Sequence, residues 1–263
     1  MDSATLFLSV QRPGHAMTDI SIIAEQVRWA GFSFVPAGQF RALLKPTALA
    51  EWPSFAESWE NLGVDTYMAD GGRYRRRRFA AFAVSSEGIV RKAHQPHYQS
   101  RDYNLLNGGI ERWFEPVTEA IAIHPVTLGL LNAGRKIFDA LTPARDRPEA
   151  WHVELHQFRI EADAGQVGQP TPEGLHRDGV DWVLVVLVNR NNVERGVTSI
   201  YGLDHTHLGD FTLTDPMDAV FLQDSRVFHG VTAIRPLDPQ GVARRDVVVI
   251  TFRSAPLHLP GPV

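Results

Sequence analysis

Two histidines and one aspartate are the residues that point most directly to chemistry. His176 and Asp178 are separated by one residue, and in an extended segment side chains at that spacing point to the same face. An imidazole and a carboxylate on one face supply two ligands of a metal site. His229, in a later β-like segment, is the candidate for the third ligand. Two histidines and a carboxylate on one face of a metal ion, with the other positions open, are typical of non-haem Fe(II) oxygenases.

The chain from residue 151 onward has a β pattern that is able to position these ligands. Short alternating or continuous apolar segments are separated by clusters of Asn, Gly, Pro and Asp. This pattern favours a sandwich or barrel of the jelly-roll kind. The predicted strands lie near residues 153–160, 176–178, 182–188, 197–201, 219–222, 229–234 and 246–252.

The first 150 residues are expected to be mixed, with helices that support the β part. Apolar spacing predicts a helix ending at Gly31, short helices between residues 39 and 63, and helices between 116 and 141 that break at Pro125. Strands are expected at 32–35 and 74–84. We predict a mainly β fold with flanking helices (α+β), forming one domain over residues 1–263. Residues 1–150 support the core, and residues 151–263 form the main part of the jelly roll and carry the metal site.

Composition excludes several classes of function. The chain has 263 residues, a net charge of −4 and no cysteine. This charge gives no reason to expect a nucleic acid or an anionic membrane as a partner. The lack of cysteine excludes disulfides, thiolate metal sites and a cysteine nucleophile. Neither a His-Glu-x-x-His nor a Gly-x-Ser-x-Gly motif occurs, which counts against a thermolysin-like zinc protease and a serine hydrolase.

The sequence pattern also gives no reason to expect a targeting signal. The apolar patch within residues 1–11 has no basic segment before it and no cleavage pattern after it, so it does not resemble a signal peptide. The longest strongly apolar run, 182–188, is far shorter than the ~20 residues that a membrane-spanning helix needs. A cytoplasmic protein is therefore expected.

Three other polar clusters need an interpretation. The four arginines from Arg75 to Arg78 are able to bind phosphate, but a strand splits them two to each face, and a solvated run is expected. His152, Glu154 and His156 share one strand parity, but no distal partner is evident, so a structural role is expected. The polar segment 96–109 is either a pocket loop or a surface loop, and the surface loop is slightly favoured.

The metal candidates and their surroundings resemble a known family. His176, Asp178 and His229, with the arginine-led β segment 244–252, resemble the Fe(II)/2-oxoglutarate-dependent dioxygenases. More narrowly, the segments 156–160, 172–179 and 245–247 resemble the bacterial free L-amino-acid hydroxylases of the L-isoleucine dioxygenase type. The resemblance is close over residues 151–253 and weaker in the N-terminal half. Arg177 departs from it, because a smaller polar residue is expected there.

The resemblance implies a cofactor set and a reaction. The core is then a double-stranded β-helix, and His176, Asp178 and His229 are the metal-binding and catalytic residues. Fe(II) is the metal, and 2-oxoglutarate and O₂ are the co-substrates. 2-Oxoglutarate is decarboxylated to succinate while a C–H bond of the substrate is hydroxylated.

The distal carboxylate of 2-oxoglutarate needs a cation, and a guanidinium matches its shape. Arg244 and Arg245 have opposite parity, so only one of them faces the interior of a β barrel. Arg245 is expected to bind 2-oxoglutarate, because it shares a face with the apolar residues at 247 and 249 and matches the family's position. Gln157 is the second choice for this contact.

A free amino acid carries two charges, and each needs a partner when it is buried. Arg159, expected to face inward beside Gln157, is the candidate for the substrate carboxylate, and Arg112 is the alternative. For the ammonium group, Glu173 and Asp181 are both near the triad in sequence, and neither is preferred.

Two further functions remain open at the level of sequence. The first is a hydroxylase of a protein or peptide side chain, which needs a broad, open groove. The second is a non-catalytic, cupin-like metal-binding domain, which would not turn 2-oxoglutarate into succinate. The sequence makes no prediction of oligomeric state.

Overall fold

The computed structural model describes residues 19–104 and 106–254, so the N-terminal segment 1–11 considered above lies outside the described residues. The helices are α1 (Asp19–Ala30), α2 (Ala37–Arg41), α3 (Pro46–Ala50), α4 (Trp52–Glu57), α5 (Glu119–Ala122) and α6 (Pro125–Leu141), with a 3₁₀ turn at Ser58–Asn61. The strands are β1 (Phe32–Val35), β2 (Arg75–Val84), β3 (Ile89–Arg91), β4 (His97–Tyr98), β5 (Glu111–Arg112), β6 (Trp151–Ala162), β7 (Trp182–Asn191), β8 (Val193–Arg195), β9 (Thr198–Gly202), β10 (His207–Phe211), β11 (Ala219–Gln223), β12 (Val227–Val231), β13 (Ile234–Pro236) and β14 (Ala243–Arg253).

Two antiparallel sheets form the core. The major sheet has the order β1-β11-β7-β14-β6-β2-β3, and the minor sheet has the order β10-β9-β12. Val183 and Val220 of the major sheet pack with Ile200 and Val227 of the minor sheet. The two sheets therefore face each other, as in a jelly roll.

Strand β14 shows how alternation divides the two sides of the major sheet. Val248, Ile250 and Phe252 belong to the core shared with the helices, in which Ile23 and Leu130 are fully buried. The alternate residues 247, 249 and 251 line the cavity between the two sheets. The helices thus cover one face of the major sheet, and the other face is left for the site.

Most of the predicted elements are confirmed. Helix α1 is followed by Gly31 with φ 82°, the region 39–63 holds short helices, and α6 begins at Pro125. The single strand predicted over 229–234 is wrong, because β12 pairs with β9 whereas β13 pairs with β8. The segment at 176–178 does not form a regular strand. It makes one antiparallel bridge, between His176 and His229, and the backbone N–H groups of Asp178 and Gly179 donate to the carboxylate of Asp224 instead of to a strand.

We propose that the chain forms a single domain. Strands β1, β2 and β3 come from the first 150 residues, yet they lie in the major sheet beside strands from the second half. One apolar cluster also joins side chains of both halves, among them Ile23 and Phe252. Within the described part of the chain, no helix has both the length and the apolar character that a bilayer span requires.

Helix α6 approaches the major sheet closely at Gly134, which generates a test of the packing. A Cβ atom added there would lie 2.7 Å from Cζ of Phe252. That ring is fully buried against Phe138, with ring centroids 4.9 Å apart, and is therefore unable to move aside. Gly134→Ala should lower the free energy of unfolding by about 1–3 kcal/mol, as overpacking does, measured by denaturant titration. The control is Gly38→Ala in α2, where a Cβ meets nothing within 4 Å and stability should hold or rise. Equal stability of the two variants would contradict this packing.

Candidate metal centre and substrate pocket

A cavity of about 150 Å³ lies between the two sheets and contains most of the polar residues that sequence reasoning singled out. Its walls come from β2, β6, β7, β11 and β14 of the major sheet, from β9 and β12 of the minor sheet, from β5, and from the segments 97–104 and 170–180. The charged and polar lining residues are Arg75, Arg77, His97, Gln99, Asn104, Arg112, Glu154, His156, Thr171, Glu173, His176, Asp178, Thr198, His229, Arg245, Thr251 and Arg253.

The bridge between His176 and His229 places two of the predicted ligands side by side. His176 N donates to His229 O, and His229 N donates to His176 O, both at 3.0 Å. These two backbone hydrogen bonds hold the imidazole rings next to each other, with centroids 4.4 Å apart. The distal histidine is thus brought to the His-x-Asp segment by backbone pairing.

Asp178 is positioned by a turn that a second aspartate holds. Asp224 is buried, and its carboxylate accepts hydrogen bonds from N of Asp178 at 2.8 Å, Gly179 at 2.8 Å and Val180 at 3.1 Å. Gly179 has φ 76°, and a Cβ there would lie 2.5 Å from the ring of Tyr103. Glycine is therefore required at this position both for the turn and for the close approach of Tyr103.

The three side chains have the spacing of a metal site. His176 Nε2 lies 3.7 Å from Asp178 Oδ1, and His229 Nε2 lies 3.6 Å from Asp178 Oδ2. His176 Nδ1 donates to the carbonyl of Gly174 at 3.1 Å, so a metal would bind at Nε2. Burial lowers the pKa of His176, but Asp178 and Glu173 outweigh this and raise it, so metal binding would displace the proton on Nε2. Burial, together with the neighbouring His176, lowers the pKa of His229 to about 3, so this ring is neutral, as a metal ligand must be. The group therefore fits a metal with nitrogen and oxygen ligands.

A second group with similar spacing lies on the same cavity wall. His97, Glu154 and His156 bring their ligand atoms within 4.8 Å of one another. The prediction that Glu154 and His156 have no distal partner is wrong, because β4 supplies His97, whose Nδ1 lies 2.9 Å from Glu154 Oε2. Although burial raises the pKa of Glu154, His97 and His152 hold it well below its usual value, so the carboxylate is charged.

Protonation decides between the two groups as metal sites. Arg77 Nη2 lies 2.6 Å from His156 Nδ1, and a guanidinium is only a donor. His156 Nδ1 therefore accepts, and burial lowers the pKa of this histidine well below its usual value, so the neutral ring carries its proton on Nε2. That nitrogen faces Glu154 at 3.9 Å and has no lone pair for a metal. The His97 group is a hydrogen-bonded network, and the His176 group is the metal candidate.

Arg245 and Arg244 lie on opposite faces of β14, as their parity requires. Arg245 is 3% exposed and lines the cavity, whereas the side chain of Arg244 is 43% exposed and lies 3.5 Å from Glu60. Burial and the cross-strand neighbour Arg190 lower the pKa of Arg245 to about 10, so it remains charged at neutral pH. No ion pair between Arg245 and a carboxylate of the described residues is present within 4.0 Å. The cavity thus contains a fixed, uncompensated cation.

Three of the predicted binding residues do not face the cavity. On β6 the even-numbered residues face it, so the predicted inward orientation of Gln157 and Arg159 is wrong. Gln157 Nε2 donates to Ser58 Oγ at 2.8 Å, and Arg159 is paired with Asp246 and Glu60. Asp181 is also misassigned as a substrate contact, because its Oδ2 accepts from Ser254 N at 2.6 Å, outside the cavity.

The other substrate candidates do line the cavity. Arg112 is buried and lies on the cavity wall, and burial lowers its pKa to about 10. Glu173 Oε1 lies 3.6 Å from His176 Nε2, and its Oε2 is buried without a hydrogen-bond partner among the described residues. A cation and a carboxylate therefore lie on the wall of one cavity. Arg177, the residue that departs from the resemblance, lies outside this cavity and stacks on Tyr103 and Phe228.

Sequence reasoning missed two parts of the cavity. Arg75 and Arg77 are buried in the wall, so the expectation that the arginine run is solvated is wrong for these two. Arg76 and Arg78 lie on the other face, as the split of two to each face predicts. The slight preference for a surface loop at 96–109 is also wrong, because His97, Gln99 and Asn104 line the cavity.

The signals for these residues were present but weak. Alternation in β2 pointed to the split of the arginines, yet it did not tell which face the fold buries. Asp224 gave no recognisable signal, because its role depends on a turn formed by a distant segment.

Comparison with known proteins places this site in a family. Family models match residues 56–251 to the 2OG-Fe dioxygenases. A 3(1)-hydroxy-L-isoleucine 4-dioxygenase from Pantoea ananatis is 24% identical over 231 residues, covering 85% of this chain and 92% of that protein. An L-isoleucine-4-hydroxylase from Bacillus thuringiensis is 25% identical over 195 residues, covering 73% of this chain and 78% of that protein.

A solved structure extends the similarity to the fold. A BsmA homologue from Methylobium petroleophilum superposes with a TM-score of 0.82 at 35% identity, over 92% of this chain and 96% of that chain. The predicted jelly-roll core and oxidoreductase class are confirmed. Since the family match extends over well more than half of the sequence, the chain belongs to the 2OG-Fe dioxygenases, which use Fe(II), 2-oxoglutarate and O₂.

Proposed function

We propose that this protein hydroxylates a free L-amino acid, or a similar small amino-acid-like molecule, in a reaction coupled to 2-oxoglutarate decarboxylation. The observation that carries the proposal is that one cavity contains the His176 group, the uncompensated Arg245, and a separate pair of opposite charges, Arg112 and Glu173. The names of the two curated relatives, both of the isoleucine type, support an amino acid as the substrate. One oxygen atom of O₂ goes to succinate and the other to the substrate hydroxyl, with release of CO₂.

In this proposal His176, Asp178 and His229 hold the iron and are the catalytic residues. Fe(II), when bound, supplies the coordination of 2-oxoglutarate and O₂ and the oxidation of the C–H bond. The protein supplies rigid ligands. The His176–His229 bridge sets the two imidazoles, and the carboxylate of Asp224 fixes the turn that carries Asp178. Ligands held in this way keep their orientation when the co-substrate and the substrate exchange.

Arg245 is assigned to the distal carboxylate of 2-oxoglutarate. Arg245 is buried, and it lines the same cavity as Val247 and Thr198. The distal carboxylate of a 2-oxoglutarate that reaches from the metal would neutralise Arg245, and this contact would fix the orientation of 2-oxoglutarate. The apolar residues of the same wall, Val185 and Val249, keep water from the reacting atoms.

Arg112 and Glu173 are assigned to the substrate. Arg112 binds the α-carboxylate, and Glu173, whose Oε2 lacks a partner among the described residues, accepts from the ammonium group. Glu173 lies close to His176, so the ammonium end binds on the metal side of the cavity. A cytoplasmic location, where free amino acids and 2-oxoglutarate are available, accords with this proposal.

The alternative of a peptide or protein substrate is less well supported. The segment 97–104 contributes His97, Gln99 and Asn104 to the cavity wall, and Tyr103 packs on Gly179 beside Asp178. A cavity of only about 150 Å³ with charged walls suits a small zwitterion rather than an extended chain. A non-catalytic metal-binding domain is separated from both enzymes by succinate formation.

The first prediction concerns the metal. Asp178→Ala should lose stoichiometric Fe(II) or Co(II) binding, because two imidazoles alone leave the ion without its anionic ligand. Glu154→Gln, in the neighbouring network, should retain one metal per chain. The measurement is metal content after gel filtration, with circular dichroism to verify the fold. Loss of metal in the Glu154 variant and retention in the Asp178 variant would exchange the roles of the two groups.

The second prediction concerns 2-oxoglutarate. Arg245→Ala should raise the KM for 2-oxoglutarate by about a hundredfold, since a charged hydrogen bond to a carboxylate is worth ~1.5–3 kcal/mol. The KM for the amino acid should change much less. Arg244→Ala is the matched control on the opposite face and should leave both constants near those of the parent. A larger effect of Arg244 on the KM for 2-oxoglutarate would show that the register of β14 is shifted by one.

The third prediction concerns the substrate class. Free L-amino acids should stimulate succinate release from 2-oxoglutarate in the presence of Fe(II) and ascorbate, because both charges of the zwitterion find partners. The N-acetylated amino acids should not, since acetylation removes the charge that Glu173 binds. Succinate release is measured by chromatography across a panel of amino acids. Stimulation by peptides alone would support the peptide hydroxylase instead.

A further inference from the structure

The inner face of β2 carries more positive charge than the protein itself neutralises. Arg75 and Arg77 line the cavity, and Arg112 from β5 joins them. One buried carboxylate, Asp65, serves the first two: its Oδ2 is 2.7 Å from Arg75 Nε and 3.6 Å from Arg77 Nη1. Arg75 Nη2, Arg77 Nε and Arg112 Nε have no hydrogen-bond partner among the described residues.

Arg77 is held as a rigid fork. Its guanidinium carbon lies 3.5 Å from the ring centroid of Phe114 and 4.4 Å from that of Phe158. Its remaining strong contact, His156 Nδ1, is neutral and contributes no negative charge. A guanidinium stacked between rings presents its edge to a ligand in a fixed plane, which suits a carboxylate.

The ion pairs of this wall leave an excess of positive charge around Arg75 and Arg77. Arg75 and Arg77 share the single carboxylate of Asp65, and Arg112 has no carboxylate within 4.0 Å among the described residues, although Asp65, Glu173 and Glu154 are near enough to favour its charged form. Glu154, on the neighbouring strand, contacts His97 at 2.9 Å and makes no ion pair within 4.0 Å with an arginine of the described residues. Arg77 is left without a full negative charge, and its burial lowers its pKa well below the usual value although Asp65 opposes this. A zwitterionic amino acid adds no net charge, so it does not remove this excess, whereas a second carboxylate does.

We propose that Arg77, with Arg75 beside it, forms a subsite for a side-chain carboxylate, so that the substrate is an L-amino acid with an acidic side chain. The proposal rests on the proposed function, in which Arg112 binds the α-carboxylate and Glu173 the ammonium group. It makes this chain differ from relatives whose names give isoleucine-type substrates.

The decisive measurement is binding to the holoenzyme. The Fe(II) protein, saturated with 2-oxoglutarate under anaerobic conditions, is titrated calorimetrically with L-aspartate, L-glutamate and L-2-aminoadipate. The comparison ligands are L-asparagine, L-glutamine and L-isoleucine. At least one acidic amino acid should bind ten times more tightly than its amide counterpart and than L-isoleucine. Binding of L-isoleucine or the amides that equals or exceeds that of every acid overturns the subsite.

A matched pair of variants then locates the preference. Arg77→Gln should weaken the binding of the acidic amino acid at least tenfold. It should change the affinity for the amide counterpart less than threefold. Arg76 lies on the same strand but on the opposite face, beside Glu161. Arg76→Gln should therefore leave the ratio of the affinities for acid and amide unchanged. If a folded Arg77→Gln variant loses the same amount of affinity for acid and amide, Arg77 acts only in packing, and the proposal is wrong. If the Arg77→Gln variant does not fold, the titration of the parent protein decides the specificity by itself.

The two levels of the proposal fail separately. If neutral amino acids bind and release succinate while acidic ones do not, the acidic subsite is wrong and the amino-acid hydroxylase stands. If no free amino acid binds or stimulates succinate release, both are wrong.

Discussion

The antiparallel bridge between His176 and His229 is the interaction on which the site depends. Two backbone hydrogen bonds of 3.0 Å join segments that are far apart in the chain, and each bond runs directly between the two histidine ligands. Backbone pairing has few alternatives, so the relative position of the two imidazoles follows from the register of the sheet. The ligand geometry is thus part of the fold itself. Asp178 joins it only because Asp224 holds the following turn from a third segment.

Register also decides which charges enter the cavity. In β14 the neighbours Arg245 and Asp246 point to opposite faces, and in β2 the same holds for Arg77 and Arg78. A slip of one residue would move Arg245 out of the cavity and bring the carboxylate of Asp246 in. The exchange of a cation for an anion at that point would remove the partner proposed for 2-oxoglutarate. Chemistry that depends on charge is therefore as sensitive to strand register as the hydrophobic core is.

The sequence was informative where local spacing carries the chemistry. His176 and Asp178 share a face by alternation alone, and Arg245 was separated from Arg244 in the same way. Prediction failed on β6, because this strand is buried on both faces and carries polar residues on both, so alternation does not reveal which face lines the cavity. Gln157 and Arg159 were therefore placed on the wrong side. His97 was not connected with Glu154, because that contact depends on how a polar loop folds over the sheet.

Buried arginines in this protein fall into two kinds, and the difference lies in their partners rather than in their burial. Arg159 and Arg245 are both 3% exposed, yet Arg159 has two carboxylates and Arg245 has none among the described residues. A buried pair with satisfied hydrogen bonds is complete without a ligand, and the pKa of Arg159 is raised by those carboxylates despite the opposing effect of burial. A buried cation without a counter-charge is costly to the free protein and becomes favourable when an anion binds. A weaker form of this contrast separates Arg75, paired with Asp65 at 2.7 Å, from Arg77, which shares that carboxylate at 3.6 Å and has a neutral imidazole as its closest contact. In a cavity lined by fixed charges, the ligand is therefore defined by the charges that the protein does not fully compensate.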